Sequence, residues 1–269
     1  MTKTEEWDES SATMQQYNTA RYYDYLLGGY HNFAVDRKVG DMVIQVCPDV
    51  RLGALANRAF LRRVVKFLCE QGIDQFLDLG SGIPTSGNVH EIAQKNCTGA
   101  RVVYVDIDPV AVIHSQAILT GNPDAACLQE DIHNIDKILE HPTFAALIDM
   151  HRPVGVLMVA VLHFVNDEAG LQKILGVLKE KLAPGSFIVI SHYSEEGIPV
   201  ETAAQLSRLA SGGKSGSRTC AEISRMFEGL ELVPPGVVYS PLWRPESDED
   251  LLIDQPARAM AFAGVGRKV

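Results

Sequence analysis

Two apolar runs in this chain end in residues suited to chemistry. Phe76-Leu77-Asp78-Leu79-Gly80-Ser81-Gly82 runs into a pair of glycines, and Val102-Val103-Tyr104-Val105-Asp106 ends in a carboxylate. In a parallel α/β sheet both endings fall on the carboxyl edge, side by side, where such sheets take ligands. Glycines there let a ligand approach the backbone closely. A carboxylate at the neighbouring strand tip can accept hydrogen bonds from both hydroxyls of a ribose. The combination predicts a nucleoside-binding site.

The spacing argues against a dinucleotide. That fingerprint needs a third glycine three residues after the second, to pack a helix beneath a pyrophosphate. Thr85 stands there instead, and Pro84 takes one N–H out of the loop that would cradle phosphate. No Gly-Lys-Ser/Thr follows, so a Walker loop is absent. A loop for a nucleoside without phosphates remains, and S-adenosylmethionine is the common ligand of that description.

Asp78 to Gly82, Val105-Asp106-Ile107-Asp108-Pro109 and Gln129-Glu130-Asp131-Ile132 resemble the first three motifs of class I S-adenosylmethionine-dependent methyltransferases. Upstream, Ala20-Arg21-Tyr22-Tyr23-Asp24-Tyr25-Leu26-Leu27-Gly28-Gly29 and Asn32-Phe33-Ala34-Val35-Asp36-Arg37 resemble the opening of the bacterial S-adenosyl methyltransferase family. Segments 56–63, 87–91, 159–164, 241–245 and 263–265 extend the likeness over nearly the whole chain. The chain differs after the twin glycines, where Tyr30-His31 replaces the family's polar pair. The resemblance implies a Rossmann-like fold with a mostly parallel seven-stranded sheet, helices on both faces and an N-terminal helical extension. It also implies the cofactor S-adenosyl-L-methionine, the product S-adenosyl-L-homocysteine, and cofactor contacts at Asp78, Gly80, Ser81, Gly82, Asp106, Ile107, Asp131, Ile132 and Ala160.

Composition fits such an enzyme. A chain of 269 residues is ample for one large α/β domain. The longest apolar run, Val154 to Val165, is too short for a membrane span and suits a buried central strand. No charged-then-apolar leader opens the chain. Five scattered cysteines read as reduced thiols of a cytoplasmic protein. The net charge of −10 argues against a nucleic-acid substrate and favours a small molecule.

The elements that must position these residues follow in order. Residues 1–12 are polar and predict a mobile tail. Residues 13–72 predict a helical extension or lid, broken at Gly28-Gly29 and closed at Gly72. Residues 73–269 form the cofactor-binding domain. Strands are expected near 75–80, 101–106, 124–128, 154–160 and 185–191, alternating with helices near 87–96, 109–119, 134–148 and 167–182. A helix over 199–209, a flexible loop over 211–217 and a capping box at Thr219 to Glu222 come next. A terminal hairpin of strands near 231–239 and 258–266 closes the chain, its connection from Pro245 to Pro256 acidic and solvated.

Each site residue has two readings. Asp106 binds the ribose and Asp108 starts the next helix, or the roles are exchanged. Asp131 accepts the adenine amino group or caps a helix. Asp78 meets the methionine ammonium or accepts loop N–H groups. Arg21, Tyr22 and Gly28 touch ligand from a lid that shields the sulfonium from water, or they belong to the core; Asn32 and Arg37 are weaker candidates. His163 and His192 follow the fourth and fifth strands on the same edge, as general bases or as packed imidazoles. No metal motif is complete, since Gln94 stands where a second histidine would follow His90-Glu91. The leading activity is O-, N- or C-methylation of a small molecule; the alternative is a cofactor-binding protein that transfers no methyl group.

Overall fold

A computed structural model describes residues 15–84, 87–209 and 216–269. The expected 1–12 tail, Thr85 and most of the 211–217 loop lie outside the described residues. Five strands, β1 (Gln75–Leu79), β2 (Arg101–Asp106), β3 (Ala125–Gln129), β4 (Gly155–Val159) and β5 (Phe187–Tyr193), are parallel in the order β3-β2-β1-β4-β5. β8 (Ala261–Arg267) pairs antiparallel with β5.

Among the described residues the sheet has eight strands, not seven. The run near 231–239 is divided into β6 (Glu231–Leu232) and β7 (Val238–Tyr239), both antiparallel to β8. Pro234 and Pro235 lie between them and have no N–H for the ladder. One expected helix is likewise two, α6 (Ile135–Glu140) and α7 (Pro142–Leu147). Pro142 holds His141 extended, at φ −65 and ψ 133, and starts a new helix at its own first turn.

The parallel strands read as near-continuous apolar runs because both faces are covered. Their side chains alternate between two cores. Leu77, Val103 and Val105 face α8 (Glu168–Lys181), α6 and α7, whereas Phe76, Val102 and Tyr104 face α3 (Val50–Glu70) and α4 (Val89–Asn96). Helix α3 is thus part of the central core. Phe60, Val64 and Leu68 are fully buried, each stabilising the fold by roughly 1.5–3 kcal/mol. Among the described residues no helix is long and apolar enough to cross a membrane, and all five cysteines are free thiols.

Two shorter helices, α1 (Thr19–Leu26) and α2 (Ala34–Val46), lie over the carboxyl edge with α9 (Val200–Leu209). One buried ion pair fixes them. Arg21 Nε bonds Asp36 Oδ2 at 2.9 Å, with both side chains almost fully buried. The Asp36 carboxylate also accepts the N–H groups of Asn18 and Phe33, each at 2.9 Å. A second guanidinium nitrogen lies 3.6 Å from Asp108 Oδ2, at the start of α5 (Pro109–Ile118). The Arg21 guanidinium also stacks 5.0 Å over the Phe33 ring. Arg21→Ala leaves two buried carboxylates without their cation, so we expect a loss of about 3–5 kcal/mol in urea denaturation. Arg21→Lys should recover only part of this, because an ammonium cannot serve both carboxylates in a fork.

Candidate functional site

The loop after β1 is shaped by two left-handed glycines. Gly80 has φ 73, and a Cβ there would lie 2.2 Å from Val161 Cγ2. Gly82 has φ 65 and open space where its Cβ would be. Only glycine adopts both conformations at no steric cost. The N–H groups of Gly80 and Ser81 bond the Val105 carbonyl at 2.8 and 3.1 Å, so the loop continues the ladder to β2.

Asp106 pins this loop from the next strand. Its Oδ2 accepts the Gly82 N–H at 2.7 Å and its Oδ1 accepts the Asp108 N–H at 2.9 Å. Burial raises its pKa, and those backbone donors oppose the rise. Each oxygen keeps a lone pair for a hydroxyl donor. Asp108 caps α5 by accepting the Val110 N–H at 3.0 Å. Asp78 is buried beneath the loop, its carboxyl pushed up to about 7 by burial, with Arg58 working against the rise and Asp106 adding to it.

Beyond β3, Asp131 caps a short 3₁₀ turn, accepting the His133 N–H at 2.9 Å and meeting His133 Nδ1 at 2.7 Å. His133 Nε2 lies 3.4 Å from Asp167 Oδ1. Contact with Asp131 raises the His133 pKa. After β4, Ala160 has φ 58, a left-handed conformation that costs a non-glycine residue of order 1 kcal/mol. Its N–H is shared between Ser191 O at 3.1 Å and Ser191 Oγ at 3.0 Å. The Ser191 hydroxyl donates to Asn57 Oδ1 at 2.7 Å, and Asn57 Nδ2 donates to the Tyr23 hydroxyl at 3.1 Å. This buried chain ties the lower edge of the site to α1.

The two histidines differ. Arg218, always a donor, bonds His192 Nε2 at 2.8 Å, so the ring proton sits on Nδ1 and points to the Tyr193 carbonyl at 2.6 Å. Burial pushes the His192 pKa down to about 4. Both nitrogens are engaged, and this imidazole has no free lone pair for a substrate proton. His163 is held well below its usual pKa by burial, with His192 and Arg218 adding to the effect. Its Nδ1 is buried with no hydrogen-bond partner. The rings of the two histidines are 5.7 Å apart.

A cavity of about 410 Å³ brings these groups together. Asp78, Gly80, Ser81, Gly82, Asp106, Ile107, Asp131, Ile132 and Ala160 all line it, as do His163, His192 and Tyr22. Arg21 and Gly28 do not. Arg21 is spent in its buried ion pair, and Gly28, at φ 79, turns the chain after α1. Asn32 and Arg37 bond each other, Arg37 donating to Asn32 Oδ1 at 3.0 Å. The lining further includes Asn57, Ser191, Tyr193, Leu206 and Met260, to which the sequence reading gave no role. Asn57 left a signal, as a lone amide in the apolar stripe of α3. Leu206 and Met260 left none, since each is an ordinary apolar residue far along the chain. Among the described residues no group of three or more His, Cys, Asp or Glu is arranged to hold a metal.

The family model described as S-adenosyl methyltransferase matches residues 5–269. A crystal structure of a candidate methyltransferase from Thermobifida fusca YX is 40% identical, covering 94% of this chain and 95% of that one at a TM-score of 0.87. A duf574 family protein from Streptomyces avermitilis MA-4680 is 35% identical, covering 95% and 99% at a TM-score of 0.89. An O-methyltransferase family protein from Burkholderia thailandensis shares the fold at 12% identity, with 82% of this chain and 58% of that one covered and a TM-score of 0.53. No curated protein matches the chain.

The buried Asp78 carboxyl makes stability depend on pH with a definite sign. Its folded pKa lies above the unfolded value, so its contribution is fully present below the unfolded pKa and lost as pH rises through about 7. Asp78→Asn should therefore be more stable than the parent at pH 8, by an amount on the order of a few kcal/mol. The two should converge towards pH 4. Urea midpoints across that range check the difference, and an unchanged pH profile would contradict it.

Proposed function

The chain belongs to the S-adenosyl methyltransferase family and is an S-adenosyl-L-methionine-dependent enzyme; on that premise we propose that it methylates a small molecule bound in the 410 Å³ cavity. One observation carries the reading. The same cavity meets the Gly80–Gly82 loop, Asp78, Asp106 and Asp131 along one wall and His163 on another.

The residues suit the cofactor by their chemistry. Asp106 keeps lone pairs for the ribose hydroxyls, and the open space at Gly82 lets a nucleoside lie on the backbone. Asp78, buried and costly to ionise, gains a partner in the methionine ammonium. Asp131 faces the adenine end beside Ile107 and Ile132, while Ala160 and Tyr22 flank the sulfonium end. When bound, the cofactor supplies a methyl group on a positively charged sulfur, and the protein's task is to position the acceptor and exclude water. His163 is the candidate to hold the acceptor's polar group. His192 acts through position, since Arg218 occupies its Nε2.

Residues 15–37 form the described part of the lid in this reading, α1 lying across the cavity with Tyr17, Tyr22 and Tyr23 on the cavity's lining; residues 73–269, with α3 packed against them, form the cofactor-binding domain. Free thiols and a net charge of −10 agree with a cytoplasmic enzyme that acts on no nucleic acid.

Incubation with labelled S-adenosyl-L-methionine and fractionated small-molecule extract tests the proposal. Stoichiometric S-adenosyl-L-homocysteine with label in a small molecule is expected. Label only in protein or nucleic acid would sink the small-molecule acceptor. Cofactor binding without product in any fraction would favour the non-methylating alternative.

Two further outcomes follow from the geometry. Hydrogen bonds to a charged group contribute roughly 1.5–3 kcal/mol each, so Asp106→Ala should weaken S-adenosyl-L-homocysteine binding at least about tenfold by calorimetry. Asp108→Ala should lower stability more than affinity, because Asp108 caps α5 and faces Arg21. Amide exchange over residues 15–37 should slow when S-adenosyl-L-homocysteine is added. Unchanged exchange there would leave these tyrosines as core residues or as a lid already closed without ligand.

A further inference from the structure

The cavity is divided by chemistry. Its carboxylates, Asp78, Asp106, Glu130 and Asp131, all stand at the ends of β1, β2 and β3. Arg58 is the one Lys or Arg among its described lining residues, and it belongs to the Asp78 end, where it also borders the small polar pocket beside Asp78 and Ser81. The opposite end, between α1, α2, α9 and the tip of β5, is lined by Leu26, Val43, Leu206 and Met260. Its rings are the Tyr17–Tyr22 pair, with centroids 5.9 Å apart, and Phe164 and Tyr193, whose centroids lie 4.1 and 6.3 Å from that of His163.

We infer that this end takes an uncharged, planar aromatic acceptor of the phenol type, its polar group served by the Tyr22 hydroxyl and the His163 imidazole. The inference deepens the methyltransferase reading and rests on it. Three observations converge. Among the described lining residues this end has no Lys, Arg, Asp or Glu; Arg218 stands behind it on His192 and Glu195 beside Tyr193, so an ion placed here would be buried without a countercharge in contact with it. The wall offers ring faces and edges, and stacked or edge-on aromatic contacts favour a planar ring beyond the area it buries. The polar handles are few and neutral. Burial, reinforced by Tyr17, Tyr193 and Cys47, strongly opposes ionisation of the Tyr22 hydroxyl. His163 is uncharged at neutral pH and carries an unpartnered nitrogen. A few neutral polar groups in an apolar wall are what a site uses to orient a largely apolar ligand.

Calorimetry on protein saturated with S-adenosyl-L-homocysteine tests this with four probes: 2-naphthol, 2-naphthoate, 2-naphthylmethylammonium and 1-decanol. We expect 2-naphthol to bind at least about tenfold more tightly than each of the others. Tyr193→Ala should weaken 2-naphthol at least about fivefold, with S-adenosyl-L-homocysteine affinity reporting that the variant folds. Equal or tighter binding of naphthoate or the ammonium would overturn the uncharged acceptor, and tighter binding of decanol would overturn the planar one. Undiminished naphthol binding to a folded Tyr193→Ala would place the probe elsewhere and overturn the site. Should that variant not bind S-adenosyl-L-homocysteine, the ranking of probes on the parent protein decides. Failure of the parent to bind S-adenosyl-L-homocysteine would instead sink the cofactor reading, and this inference with it.

Discussion

The site depends on β1 lying between β2 and β4, parallel to both and in register with them. Phe76 pairs with Val102 on one side and Gly155 on the other. The chain order reverses between β1 and β4, so the helices that leave these two strands go to opposite faces and open a crevice between the strand tips. Asp78, Gly80, Asp106 and Ala160 sit at that crevice because their strands end level with one another. A slip of one residue in β1 would turn Asp78 to the other face and put an apolar side chain under the loop.

Carboxylates at this edge carry structural bonds before any ligand arrives. Asp106 holds Gly82 and Asp108 by their N–H groups, and Asp131 holds His133. Shape and affinity are therefore coupled at the same atoms, because a carboxylate with about four acceptor sites can serve the backbone and a ligand together. Asp108 and Asp36 belong to a different tier. They share the buried Arg21, which connects the roof helices to the start of α5 and thus to the Asp106 strand. Removing a charge from such a network exposes the others to full desolvation cost.

The histidines illustrate how neighbours decide chemistry. Two imidazoles on one edge look equivalent by residue type. Arg218 takes the lone pair of one, and burial leaves the other neutral with an unpartnered nitrogen. A phenol oxygen that gains a methyl group becomes a far stronger acid, so even a weakly basic imidazole with an unpartnered nitrogen, as His163 is, can take its proton.

Local patterns made most of the frame legible from residues alone. Strand tips at Leu79, Asp106 and Gln129, the Asp108-Pro109 helix start and the Thr219–Glu222 capping box each have a cause within a few residues. The division of 231–239 at Pro234-Pro235 and of 134–148 at Pro142 was also written locally, in missing N–H groups outweighed in the reading by apolar periodicity. Tertiary structure alone decided which residues form the far wall of the cavity. Leu206, Met260 and Tyr193 come from three separate parts of the chain, and an apolar side chain carries no mark of the neighbour it will meet. Arg21 shows the same limit from the other direction. Its charge beside tyrosines reads as ligand chemistry, yet Asp36 and Asp108 surround it once the helices pack, and a buried cation goes to the carboxylates that can pay for its lost water.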